Sequence, residues 1–169
     1  MIGCGPAARA ISPIAHMPQP TAHMRPWIPM AALALAILPL AFVHPLRVTG
    51  HSMEPALKPG SVCLAMRAWC AGSPHRGEVW LIDAPDGPAI KRIVGLPGER
   101  LEQRDGEMFL NGQRLQEPFL LQFDQGNGGP WESNQGFLVL GDNRRESHDS
   151  RVWGPLLRSA FRGKVIVRF

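Results

Sequence analysis

Residues 78–112 read EVWLIDAPDGPAIKRIVGLPGERLEQRDGEMFLNG, and that stretch decides the fold class. Short apolar or alternating runs, EVWLID (78–83), AIKRIV (89–94), ERLEQR (99–104) and EMFL (107–110), are separated by PDGP, GLPG, DG and NG. Runs of four to six residues bounded by such punctuation are strands. Asp-Gly and Asn-Gly are the strongest short-range hairpin signals, because both central residues of a type I′ turn need positive φ. The pattern continues outward. Residues 61–66 alternate well enough for a strand, after a Pro59-Gly60 turn. Residues 71–77 and 141–151 are polar loops. GFLVL (136–140) has the apolar run of a buried strand, and KVIVR (164–168) makes a final one. Residues 121–135 carry no apolar pattern and read as a loop, and 156–161 as one short helix. The body, 46–169, is therefore mainly β.

Upstream, residues 27–43 (WIPMAALALAILPLAFV) contain no charge and no polar face. Seventeen helical residues are at the short end of a bilayer span. Pro29 falls in the first turn, and Pro39 would kink the helix, which membrane helices tolerate. Pro39, Phe42, His44 and Pro45 make a poor small-x-small cleavage site, so the segment reads as an uncleaved anchor rather than a signal peptide. We assign 26–45 to a single transmembrane anchor. Arg9 and Arg25 precede it and no acidic residue occurs before Glu54, which favours the N-terminus inside and the body outside. Residues 1–25 lack periodicity and read as disordered, and Met24 is expected to be the true initiator.

Composition excludes several functions. Three cysteines without a CxxC pair give neither a disulfide scaffold nor a zinc ribbon, so no metal or other cofactor is expected. Cys63 and Cys70 stand seven residues apart, and the sequence leaves a disulfide between them open. The net charge of +4 comes without a basic stripe interleaved with aromatics, so no nucleic-acid partner is expected. Trp69 and Trp131 are candidates for the bilayer interface, and Trp80 and Trp153 for the core.

Two polar side chains sit where the pattern does not ask for them. Lys91 shares its strand face with Ala89 and Ile93, and Ile90 and Arg92 take the other. It is either a lysine snorkelling from an edge strand or a desolvated amine able to act as a base. Ser52 lies between Gly50 and Pro55, on a bend. Alone it reads as a turn serine. With a neutral lysine it completes an acyl-transfer set, and its own N–H can serve as an oxyanion donor. A Ser-His-Asp triad is a poor rival: His51 adjoins Ser52 and His148 adjoins Asp149, so each would point away from its partner, and His75 has none in view.

Three motifs occur in order after the anchor: Ser52-Met53-Glu54-Pro55, Lys91-Arg92-Ile93-Val94-Gly95-Leu96-Pro97-Gly98-Glu99, and Gly141-Asp142-Asn143-Arg144-Arg145-Glu146-Ser147-His148-Asp149-Ser150-Arg151. Together they resemble the type I signal peptidase family over residues 45–169. The resemblance implies a compact β catalytic domain behind one anchor. In it Ser52 is the nucleophile and Lys91 the general base, and Ser147 orients the amine. Asp149 and Arg151 form an ion pair that Arg92 joins, and Asp142 and Asn143 brace the same loop. Met53 lines the substrate cleft. It also implies a monomer in the bacterial cytoplasmic membrane, with its catalytic domain on the outer side. Its partners would be the lipid bilayer and preprotein substrates, cut after small-x-small sites. Many relatives carry a serine where this chain has Gly50, which leaves a second oxyanion donor unassigned. The short stretch from Gly98 to Gly136 excludes the large second β-domain of some members. Two alternatives stand beside this reading: a specialised maturation peptidase of conjugation or pilin type, and an inactive membrane-tethered binding protein.

Overall fold

The structure is a computed structural model and describes residues 30, 33, 35, 41–120 and 125–168. Among the described residues ten strands make two antiparallel sheets. They are β1 (Val43–Arg47), β2 (Val62–Arg67), β3 (Val79–Ala84), β4 (Gly87–Gly95), β5 (Arg100–Arg104), β6 (Glu107–Leu110), β7 (Gln113–Arg114), β8 (Gly128–Glu132), β9 (Leu138–Leu140) and β10 (Phe161–Arg168). The larger sheet runs β1-β2-β10-β3-β4-β9 and the smaller β7-β6-β5-β8. Mainly β is thus what the chain is.

The local turn signals act as their chemistry requires. Asp105-Gly106 has φ of 49° and 84°, and Asn111-Gly112 has 49° and 81°, the two positive values a type I′ turn needs. These turns set β5, β6 and β7 side by side.

Three apolar clusters follow from strand alternation. Trp80, Ile82, Ile93, Phe137, Val139, Leu156 and Phe161 form one, with Trp80 edge-on to Phe161 at 5.6 Å. Val48, Met53, Leu57 and Cys63 form another, with Val79 and Ile90 packed against it; Val79 and Ile90 alternate with Trp80 and Lys91, so this cluster takes the opposite face. The third joins the two sheets: Val94, Leu138 and Leu140 from the larger meet Leu101 and Met108 from the smaller. There a Cβ at position 95 would come within 2.9 Å of Leu138, so Gly95 is a glycine because two strands approach that closely.

Three segments depart from the sequence expectation. The 121–135 loop contains β8, which pairs Leu101 with Trp131. Its Gly-Gly-Pro-Trp run reads as a turn, yet the Trp131 ring lies over Gly128 and Gly129, where any Cβ would sit 2.7 Å or 3.0 Å from it. Gly128 makes room for the ring, and Gly129 both makes room for it and takes a φ of 91°. Within 156–161 only Arg158–Ala160 is helical, as one 3-10 turn, and β10 starts directly after it at Phe161. At the other end β1 takes Val43–Arg47, so the last three residues of the segment assigned to the anchor are strand instead, paired with β2 from Val43↔Met66 to Arg47↔Val62.

Most of the 26–45 segment, residues 1–25 with Cys4, and the expected start at Met24 lie outside the described residues. Met30, Leu33, Leu35, Ala41 and Phe42 are helical. Among the described residues no helix is long and apolar enough to cross a membrane. Cys63 and Cys70 are both free thiols. Cys63 is buried within β2 and Cys70 lies in the turn beyond it, and an extended strand rises about 3.3 Å per residue, too far apart for a disulfide. Trp80 is fully buried, Trp69 is 69% exposed, and Trp153 and Trp131 pack partly buried against two of the clusters.

Candidate active site

Ser52 sits on the turn between β1 and β2. Val48 N–H donates to the Ser61 carbonyl at 2.9 Å and Gly60 N–H to the Val48 carbonyl at 2.7 Å, closing the turn at its base. Met53 and Leu57 plant it in the core, and Leu57 N–H donates to the Met53 carbonyl at 2.8 Å. Two apolar anchors and a closed base fix the turn that carries Ser52, which is half-buried. Beside it runs a cleft of about 310 Å³ lined by Val48, Gly50, Ser52, Met53, Leu81 and Ile90 among others. Gly50 needs no glycine for space: nothing lies within 4 Å of a Cβ there.

Lys91 stands on β4 opposite Trp80 and is only 3% exposed. Its Nζ donates to Ser147 Oγ at 2.9 Å, across 56 positions of chain. Burial pushes the amine below the ordinary lysine value. Asp149 and Asp142 pull it back up and Arg151 pushes it down. Burial prevails because neither carboxylate is free to serve the lysine. Asp149 is held by Arg151 Nε at 2.9 Å and Nη2 at 3.0 Å. Asp142 is held by Arg92 Nε at 2.8 Å and Nη2 at 2.6 Å. Two bidentate guanidinium forks absorb the negative charge around the amine, and the lysine is left with desolvation.

Gly141 brings the parts together. Its N–H donates to Asp149 Oδ2 at 3.1 Å, and its carbonyl accepts from Arg144 Nε at 3.0 Å. A Cβ at this position would overlap Ser147 Oγ, Ser147 Cβ (2.6 Å) and the Ser52 carbonyl oxygen (2.5 Å). The next turn repeats the tie, since Asn143 N–H donates to that same Ser52 carbonyl at 3.0 Å. Asn143 thus reaches the Ser52 turn through its backbone. Asp149 also caps the helical turn Ser150–Trp153, accepting from Arg151 N–H at 3.2 Å.

One expected partnership differs. Arg92 does not join the Asp149–Arg151 pair; it forks onto Asp142, donates to the Gly77 carbonyl at 2.6 Å and lies 4.1 Å from the Phe119 ring centre. Neighbours on one strand face opposite ways, and Lys91 already takes the side that meets Ser147. The histidines turn elsewhere, His51 to Glu54 at 3.1 Å, His75 to Glu78 at 3.5 Å and His148 to Asp86 at 3.2 Å. Among the described residues no group of three or more His, Cys, Asp or Glu is placed to hold a metal ion. Sequence reasoning passed over Gly141, Arg144 and Glu117. Gly141 and Arg144 lie within the GDNR motif, so a signal was there. Glu117 has none, since its partner is 27 positions away.

A serine on a braced turn and a desolvated amine stand around one glycine, residue types that a serine hydrolase with an amine base would use. The comparisons with known proteins give the family. The family model described as "Signal peptidase, peptidase S26" matches residues 21–169, and the chain belongs to that family of serine peptidases. It is 33% identical over 168 residues to "Signal peptidase IB" of Staphylococcus aureus, covering 85% of this chain and 87% of that one. A crystal structure of a signal peptidase I from Enterococcus faecalis V583 is 28% identical and covers 56% of this chain and 97% of that one, with a TM-score of 0.48.

Proposed function

We propose that this peptidase is a membrane-anchored, monomeric signal peptidase I that cuts signal peptides from exported preproteins. In this reading the anchor assigned to 26–45 stops short of β1, which begins at Val43, and the catalytic domain stands on the outer side of a bacterial cytoplasmic membrane. The observation that carries it is the Lys91 amine, buried and tied at 2.9 Å to Ser147, beside the Gly141 contact that holds the Ser52 turn.

The chemistry follows from that geometry. Lys91, its hold on a proton weakened by desolvation, takes in its neutral form the proton of Ser52 Oγ as that oxygen attacks the scissile carbonyl. Ser147 Oγ accepts one Lys91 N–H, which limits rotation of the amine and directs its lone pair. The tetrahedral oxyanion takes a hydrogen bond from the Ser52 N–H. Lys91 returns the proton to the leaving amine, an ester to Ser52 remains, and Lys91 then deprotonates the water that hydrolyses it. The edge of β4 before Arg92 faces the cleft without a partner strand among the described residues, since β9 pairs with β4 only from Arg92 onward. An extended substrate can add there as a strand, with alternate side chains entering the cleft. Shallow apolar walls favour small residues, which gives the small-x-small preference.

The test compares detergent-solubilised wild type, Ser52→Ala and Lys91→Ala on one preprotein, with N-terminal sequencing of the product. Wild type alone should release the mature chain, cut after a small-x-small site. Release by either variant removes that residue from the dyad, and a folded wild type silent on several unrelated preproteins overturns the substrate assignment. A second expectation concerns Gly50. The open space there admits a serine whose hydroxyl can act as a further oxyanion donor, and Gly50→Ser should raise kcat about tenfold or more. A kcat unchanged within twofold would mean that the oxyanion is already fully served.

A further inference from the structure

Glu117 lies outside every motif, on the segment that leaves the small sheet after β7. Leu115 pins that segment to β6, its N–H donating to the Met108 carbonyl at 2.7 Å and its side chain packing on the third cluster. Two residues on, Glu117 meets Arg144 in a two-pronged ion pair, with Nη1 on Oε2 at 3.2 Å and Nη2 on Oε1. Their side chains are 2% and 1% exposed. Arg144 Nε donates to the Gly141 carbonyl at 3.0 Å, and the Arg144 carbonyl accepts from Arg151 Nη2 at 2.6 Å. Two residues further, Phe119 covers Arg92, the arginine that holds Asp142. A strap from the small sheet therefore touches Arg144, within the loop carrying Ser147, and Arg92, which holds that loop's Asp142.

We propose that Glu117 is a positioning residue for the reaction, holding the Gly141–Ser147 loop against the Ser52 turn through Arg144. The inference rests on the Ser52/Lys91 reading above. A buried ion pair is weak evidence for stability, because apolar residues of the same volume usually serve a core as well or better. What apolar residues cannot do is fix a carbonyl. Arg144 Nε reaches the Gly141 carbonyl only while the other end of the guanidinium is held flat, and a bidentate carboxylate does that. Gly141 in turn has no slack, since Ser147 and the Ser52 carbonyl meet at its α-carbon. Misplacing a reacting group by about 1 Å can cost about 100-fold in rate.

The test uses the full chain and the preprotein cleavage assay, with kcat, KM, the pH dependence of kcat/KM and the thermal midpoint read for each variant. Glu117→Gln keeps the shape and loses the charge. Its kcat should fall about 10-fold to 100-fold with KM within twofold. Its acidic limb should move to higher pH. The Lys91 amine is faced by Asp142, Asp149, Arg151 and Ser147, and burial is the first cause of its lowered value. A loosened loop admits water, so the value climbs back. The paired variant Glu117→Leu/Arg144→Leu removes both charges and leaves none unpaired. It should keep the thermal midpoint, retain the loss of kcat and share the shifted limb. This pair also decides the matter should Glu117→Gln fold poorly. Wild-type kcat and pH profile in either variant overturn the inference, since a filler of the core would be replaced without effect. Ser52→Ala runs alongside: if it still cuts, the dyad reading and this inference fall together. If it is dead while Glu117→Gln is unaffected, the inference falls alone.

Discussion

Lys91→Met should lose cleavage by about 10⁴-fold or more and yet fold at least as stably as the wild type at neutral pH. Methionine keeps the unbranched stem that lies against Trp80 and removes the amine. The stability claim is a matter of sign. Burial lowers the folded-state value of Lys91 below 10.5, so between the two values the unfolded chain binds the extra proton. Stability from this group therefore rises with pH across that window, and the penalty is complete below the folded-state value. The variant's advantage over wild type should appear as pH falls below 10.5 and stop growing once the amine is protonated in the folded chain. Thermal melts from pH 7 to 11 measure it, and a variant that melts far below wild type at every pH contradicts it. The same titration governs catalysis with the opposite use. The wild-type rate should climb with pH along a limb set by Lys91 and lying below the ordinary lysine range. Lys91→Arg should be inactive at any pH, because a guanidinium is not deprotonated in proteins. Cleavage by Lys91→Arg would rule the lysine out as base.

Gly141→Ala is the smallest change with a large expected effect. The added methyl would sit 2.5 Å from the Ser52 carbonyl oxygen and 2.6 Å from Ser147 Cβ, so one of them must move. Gly141 cannot yield, because Asp149 holds its N–H and Arg144 its carbonyl. The displacement falls on Ser147, which orients the amine, or on the turn that presents Ser52. A kcat loss of about 100-fold or more is expected, with a fold weakened by about 1–3 kcal/mol of overpacking. Steady-state kinetics and urea melts on the same preparation separate the two effects. A kcat within twofold of wild type would show that the contact does not set the site. Gly50→Ser is the control in kind: a glycine beside the same serine, with open space where the other has none.

Much of this arrangement can be read from residue order. The Asp105-Gly106 and Asn111-Gly112 turns declare themselves because positive φ is a local demand. The apolar alternation of β3 and β4 does so because a strand has two faces whatever lies opposite. Lys91 stands out against Ala89 and Ile93 for the same reason, and the order of three motifs names the family. Other features are illegible locally. β8 hides in Gly-Gly-Pro-Trp because its glycines answer to a tryptophan ring. Arg92 could go to either of two carboxylates, Asp142 or Asp149, and only the folded loop, which sets Asp142 on the face of β4 opposite Lys91, selects Asp142. Gly141 looks like an ordinary loop glycine until Ser52 and Ser147 are placed on it.

Residue order alone shows that the body is β, where its hairpins turn, and which serine and lysine are out of pattern. These depend on a residue and its near neighbours. That burial outweighs the two carboxylates around Lys91 emerges only in the folded chain, because it depends on Arg92 and Arg151 having taken both. Folding alone brought Glu117 to Arg144, since an ion pair acts through space at a few ångströms and leaves no period, spacing or turn signal along the chain.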